Sequence, residues 1–135
     1  MIIYFDMDGT LANLYVGDWL EQINNNRTDP FDNAEVMINE KVLKRLNKNY
    51  TLGIISWTPM NANKDYADRV RQSKLDWLIR NYPDIKFKEL HITDYGTPKG
   101  SVAKNKQGIL IDDEYINRVD WEGLALRPDE LESLL

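Results

Sequence analysis

The stretch MIIYFDMDGTL, residues 1–11, decides how the chain is read. Four apolar residues, Ile2 to Phe5, run without a polar break into Asp6-Met7-Asp8-Gly9-Thr10. A strand that is apolar on both sides belongs in the middle of a parallel sheet covered on both faces. Asp is a poor strand residue, so the strand ends where the aspartates begin. Two carboxylates one residue apart also repel each other. Their crowding at a strand end calls for a positive group or a cation to offset it. A calcium loop of the EF-hand kind is excluded, because DMDGTLANLYVG breaks that pattern after Gly9.

The rest of the chain extends the same pattern outward. NEKVLKRLNKN (39–49) places Val42, Leu43 and Leu46 on one helical face. TLGIIS (51–56) is a second apolar strand. NKDYADRVRQSKLDWLIRNY (63–82) is the longest helix, with Asn63 as N-cap and Ala67, Val70, Trp77 and Leu78 on a shared face. FKELHIT (87–93), the run from Ile109 to Asp112, and GLAL (123–126) are three further strands. Pro128 opens a terminal helix with Leu131, Leu134 and Leu135 turned inward. LANLYVGDWLEQI (11–23) has room for a short helix, and NNNRTDPFDN (24–33) has loop chemistry. The segment at about 12–38 is therefore the one insertion large enough to form a lid. Strands alternating with helices predict an α/β chain. The expected architecture is a three-layer Rossmann-like sandwich with a mainly parallel five-stranded sheet and a minimal cap insertion, all in one domain over 1–135.

Composition narrows the function classes. A chain of 135 residues suits one hydrophobic core. An apolar fraction of 42% with 29% charged residues is that of a soluble globular protein. The net charge of −5 argues against a nucleic-acid coat, whose footprint is basic. With no cysteine, disulfides, thiolate catalysis and zinc–thiolate sites are excluded. No apolar run approaches membrane-spanning length, so no membrane partner is expected. No basic segment precedes an apolar stretch at the N-terminus, so the expected setting is cytoplasmic.

Ligands of open α/β sheets bind at the carboxyl ends of the strands. Those ends carry Asp6 and Asp8, then Ser56 followed by Trp57, then Thr93 and Asp94 ahead of a loop holding Lys99, then Asp112 and Asp113. Carboxylate oxygens are hard ligands suited to Mg2+. An aspartate can attack phosphorus, and a second carboxyl can donate to the leaving oxygen and then activate water. Ser56 and Lys99 can hold the other phosphoryl oxygens. Lys104 and Lys106 share the loop with Lys99, which is preferred because Pro98 and Gly100 fix its backbone. Trp57 either lines the pocket or donates a backbone N–H to phosphate. Tyr15 and Trp19 either anchor a small helix or offer a stacking surface for a base. His91, the only histidine, lies inside a strand and reads as packing rather than chemistry.

Taken together, FDMDGTL (5–11), LGIIS (52–56), Lys99 and ILIDD (109–113) resemble, in order, the four motifs of the haloacid dehalogenase-like phosphohydrolases. The resemblance implies that Asp6 is the nucleophile and Asp8 the general acid/base. It implies Mg2+ held by the Asp6 carboxylate, the Asp8 backbone carbonyl and Asp112, with Asp113 supporting that shell. It gives Ser56 and Lys99 the transferring phosphoryl group. PKGSVAKNKQGILIDDEYINRVDWEG (98–123) is similar to the deoxyribonucleotidase branch, which implies a small phosphomonoester substrate, a nucleoside monophosphate. That branch carries a sizeable helical cap after its first motif, whereas this chain has only about residues 12–38 there, so the alternatives are a phosphatase acting on a polymer-borne phosphate (a nucleic-acid end or a phosphoprotein) and a non-catalytic phosphate-binding module of the same fold.

Overall fold

The computed structural model describes all 135 residues. Five parallel strands form the sheet: β1 (Ile2–Phe5), β4 (Thr51–Trp57), β5 (Glu89–Thr93), β6 (Ile109–Ile111) and β7 (Ala125–Leu126), in the order β5-β4-β1-β6-β7. β1 is central, pairing Phe5 with Ile54 on one side and with Ile111 on the other. All four of its residues are buried, which is why its sequence lacks polar alternation.

Side-chain parity separates two packing layers. Ile3, Phe5, Leu52, Ile54, Ile109 and Ile111 face Leu43 and Leu46 of α3 (Glu40–Leu46) and Trp77 and Leu78 of α4 (Lys64–Asn81). Ile2, Tyr4, Ile55 and Leu110 face the opposite way, onto Ala103 and Trp121. Ala103 follows the short helix α5 (Lys99–Val102), and Trp121 follows α6 (Tyr115–Asp120). The α/β sandwich and its parallel sheet are those expected from the sequence. No helix is long and apolar enough to cross a membrane.

Element boundaries differ in instructive ways. The first helix of the insertion, α1 (Trp19–Asn24), starts later than residues 11–23 allow, because Ala12–Asn13 (β2) pairs with Glu35–Val36 (β3) and Gly17 turns the chain at φ +56°. The Asn-rich stretch holds one helical turn, α2 (Asp29–Asp32), which buries Phe31. The strands read as 87–93, 109–112 and 123–126 shorten to Glu89–Thr93, Ile109–Ile111 and Ala125–Leu126. The terminal segment Pro128–Leu134 is a 3-10 helix. Its three-residue turn aligns Leu131 with Leu134 and leaves Leu135 outside, 43% exposed, rather than inward.

The insertion is fastened along α4. The Tyr66 hydroxyl donates to the Arg27 carbonyl (2.7 Å), the Trp77 indole to the Ala34 carbonyl (2.8 Å) and Arg80 to the Asp32 carbonyl (2.7 Å). The Ser73 hydroxyl donates to the Asp32 carboxylate. Leu14 and Phe31 pack on Tyr66 and Val70. The Asn63 side chain accepts from the Tyr66 N–H at 2.8 Å, capping α4 as the sequence implied. Asn63→Ala is expected to lower stability by about 1 kcal/mol, read as a shifted urea midpoint at unchanged slope.

Candidate active site

Ending three neighbouring strands at one level puts their polar residues together. Asp6 follows β1, Ser56 and Trp57 close β4, and Asp112 and Asp113 follow β6. Beyond β1 the chain turns sharply: the N–H groups of Thr10, Leu11 and Ala12 all donate to the Met7 carbonyl at 2.9–3.0 Å. Gly9 sits there at φ +81°, and a Cβ added to it would lie 2.3 Å from Asp113 Oδ2. The glycine of DMDGT is thus required both by its backbone conformation and by the carboxylate against it.

The Asp6, Asp112 and Asp113 carboxylates bring oxygens within 4.8 Å of one another. Lys99 Nζ reaches into this group from α5, 2.9 Å from Asp6 Oδ1 and 2.6 Å from Asp112 Oδ2. Asp112 is fully enclosed and also accepts from the Glu114 N–H (2.9 Å) and Asn117 Nδ2 (3.2 Å). Thr10 Oγ1 donates to Asp113 Oδ1 at 3.3 Å. Lys99 is therefore the loop lysine at the site. Lys106 instead bonds the Gly100 carbonyl, and Lys104 meets Glu89 through its backbone N–H.

Asp8 points elsewhere. Its Oδ2 lies 2.8 Å from Nζ of Lys74, a residue of α4 absent from the sequence reading. The same ammonium donates to Ser56 Oγ and to the Trp57 carbonyl, each at 2.8 Å. Lys74 is 1% exposed. The sequence signal is its position: residues 67, 70, 74, 77 and 78 form one helical stripe, so Lys74 interrupts an apolar face. Ser56 is wholly buried, with its oxygen engaged by Lys74. Two other strand-end residues do not join the site. Asp94 pairs with Arg71 at the surface, and Thr93 lies outside the cavity.

A cavity of about 500 Å3 opens over Asp6, Asp8 and Lys99. Its walls include Tyr15, Trp19 and Phe31 from the insertion and Trp57, Met60 and Tyr95 from the sheet side. Tyr15 and Trp19 meet edge to face at 4.9 Å between centroids, as do Trp57 and Tyr95 at 5.0 Å. The Trp57 indole donates to the Thr97 carbonyl (2.8 Å), and its ring lies 5.5 Å from Lys99 Nζ. Trp57 is thus a wall residue. His91 meets Glu89 at 2.9 Å, away from the cavity.

Electrostatics follow from burial and crowding. Burial, then the Asp6 charge and a hydrogen bond with Asp6, push the Asp113 carboxyl up to about 8. Burial and then Asp6 raise Asp112 to about 6. Burial raises Asp8 as well, opposed by Lys74. Burial opposes the charge on Lys99, but Asp6 and Asp112 together hold it above the ordinary lysine value. Burial and then the fields of Asp8, Asp113 and Asp6 push the Tyr15 phenol up. Three crowded hard oxygen donors, two of them displaced upward, fit a divalent cation.

No protein-family model matches the chain, and no curated protein matches its sequence significantly.

Asp112 and Asp113 keep a proton in the fold where the unfolded chain has lost it. Metal-free stability therefore falls as pH rises from about 4 toward about 8. In chelator, the melting temperature is expected to drop between about pH 5 and about pH 8, and Asp113→Asn to flatten that drop. A melting temperature that holds or rises across this range contradicts the charge crowding.

Proposed function

We propose that this chain is a Mg2+-dependent phosphatase that hydrolyses a small phosphomonoester through a phospho-aspartate. The observation that carries the reading is the meeting of Asp6 and Lys99, which line a cavity together with Asp8, with Asp112 and Asp113 directly behind them. The motif order 5–11, 52–56, Lys99 and 109–113, which resembles the haloacid dehalogenase-like phosphohydrolases, supports it further.

In this reading an Asp6 oxygen attacks phosphorus in line as the bond from phosphorus to the leaving oxygen breaks. Asp8 gives its proton to that oxygen. It then takes a proton from the water that attacks the phospho-aspartate, releasing phosphate and restoring Asp6. Burial favours the protonated form of Asp8 that the first step needs. Lys99 neutralises charge on the equatorial phosphoryl oxygens. The Ser56 hydroxyl accepts from Lys74 and keeps its own hydrogen for a phosphoryl oxygen. The Asp6 and Asp112 carboxylates and the Asp8 backbone carbonyl would hold Mg2+, with Asp113 beside them. That ion, when bound, supplies Lewis-acid charge neutralisation at the phosphoryl group.

The cavity favours a nucleoside monophosphate over a phosphate borne on a polymer. Its volume suits a whole small ligand, and the insertion closes one side with Tyr15, Trp19 and Phe31. The cytoplasm remains the expected setting.

A phosphate-release screen over nucleotides, sugar phosphates and phosphopeptides with Mg2+ tests the reading. Nucleoside monophosphates are expected to lead, with activity abolished by chelation and cut at least about a thousandfold in Asp6→Asn. Full activity in Asp6→Asn, or no turnover of any ester, refutes it. Trp19→Ala is expected to raise KM for a nucleoside monophosphate about tenfold at little cost in kcat, as loss of a stacked base would.

A further inference from the structure

Lys74 is the one buried cation at the site to which the reaction above assigns no step. It is the fourth-turn residue of a helix whose other inward side chains are Tyr66, Ala67, Val70, Ser73, Trp77 and Leu78, apolar but for Ser73 and the tyrosine hydroxyl. A lysine kept dry on such a face has to be satisfied by specific partners. Lys74 has three, one for each N–H of its ammonium: Asp8 Oδ2, Ser56 Oγ and the Trp57 carbonyl, all at 2.8 Å. The set is complete, and it ties the turn after β1 to the end of β4.

The geometry also separates the two lysines. Lys99 comes from α5, on the side of the sheet where Ala103 and Trp121 pack. Lys74 comes from α4, on the opposite side, and meets no oxygen of Asp6 or Asp112. Lys74 does not line the cavity, whereas Asp8 and Lys99 do. It reaches a bound ester only through the groups it holds.

Building on the phosphatase reading, we infer that Lys74 is the positioning residue for the general acid. It fixes one Asp8 oxygen so that the other faces the leaving oxygen, and it occupies Ser56 Oγ as an acceptor. An ammonium can only donate, so Ser56 must direct its own hydrogen elsewhere. A loosely held Asp8 would lose alignment with the leaving oxygen, and small misplacements of a proton donor cost large factors in rate.

This role has a signature that packing alone lacks. Esters with poor leaving groups need the proton, and esters with good leaving groups do not. Lys74→Met is expected to lower kcat/KM, which reports the step that expels the leaving group, roughly a hundredfold on phenyl phosphate and only a few fold on 2,4-dinitrophenyl phosphate. In Asp8→Asn, adding Lys74→Met is expected to cost little more on phenyl phosphate, because the group it positions is gone. Lys74→Arg, which keeps the charge and donors, is expected to recover part of the phenyl phosphate rate.

Equal losses on the two esters, or full additivity with Asp8→Asn, overturn the positioning role while the phosphatase reading stands. If the wild type turns over neither ester, the phosphatase reading itself fails. Circular dichroism and melting curves check folding. Should Lys74→Met not fold, the same ester comparison on Lys74→Arg decides, and an equal response on both esters overturns the role.

Discussion

The structure depends on how two buried carboxylates are tolerated side by side. Parallel pairing of β1 with β6 sets Phe5 opposite Ile111, so Asp6 and Asp112 emerge together at the strand ends. Lys99 bridges them at 2.9 and 2.6 Å. Buried ion pairs add little net stability, because desolvation of both partners offsets their attraction. Removing one partner is far worse, since it leaves a charge buried without compensation. The bridge thus constrains the sheet ends more than it stabilises them: β1, β6 and α5 must keep their register for the charges to remain paired.

The same logic governs the other side of the sheet. The Asp8 carboxylate turns away from the acidic trio and toward α4, where Lys74 receives it. That helix also anchors the insertion, through Tyr66, Ser73, Trp77 and Arg80. One helix therefore sets both the Asp8 carboxylate and the aromatic wall of the cavity. A short insertion is enough because it leans on a rigid support rather than folding as a cap of its own.

Much of this was legible in the sequence, because the signals were local. An apolar run ending in Asp-x-Asp-Gly shows a central strand and its carboxyl edge, and Asn63 announces the start of α4. That the sheet is parallel and covered on both faces follows from apolar runs that lack alternation. Lys74 was not legible as a partner of Asp8, since a sequence separation of 66 hides a contact that only packing creates. Its place on the apolar stripe was visible, but a long helix with many charges makes one inward lysine easy to overlook. The α2 turn was hidden for the opposite reason: Asn and Asp with Pro look like loop, and only the burial of Phe31 makes one turn worthwhile. At the C-terminus, the choice of a 3-10 helix over an α-helix moved Leu135 outward, a difference of pitch that composition does not reveal.

The division of labour between core and site explains why such crowding persists. Ile3, Phe5, Leu52, Ile54, Trp77 and Leu78 form a closed hydrophobic layer with no buried charge among them. That layer carries the driving force for folding. The four carboxylates and two lysines are confined to the sheet edge just beyond it. Counted formally, four negative and two positive charges leave an excess of two negative, the charge that one divalent cation balances. Raised carboxyls at Asp112 and Asp113 show the same excess as retained protons. The edge is thus electrostatically incomplete by itself, whereas the core beneath it is complete.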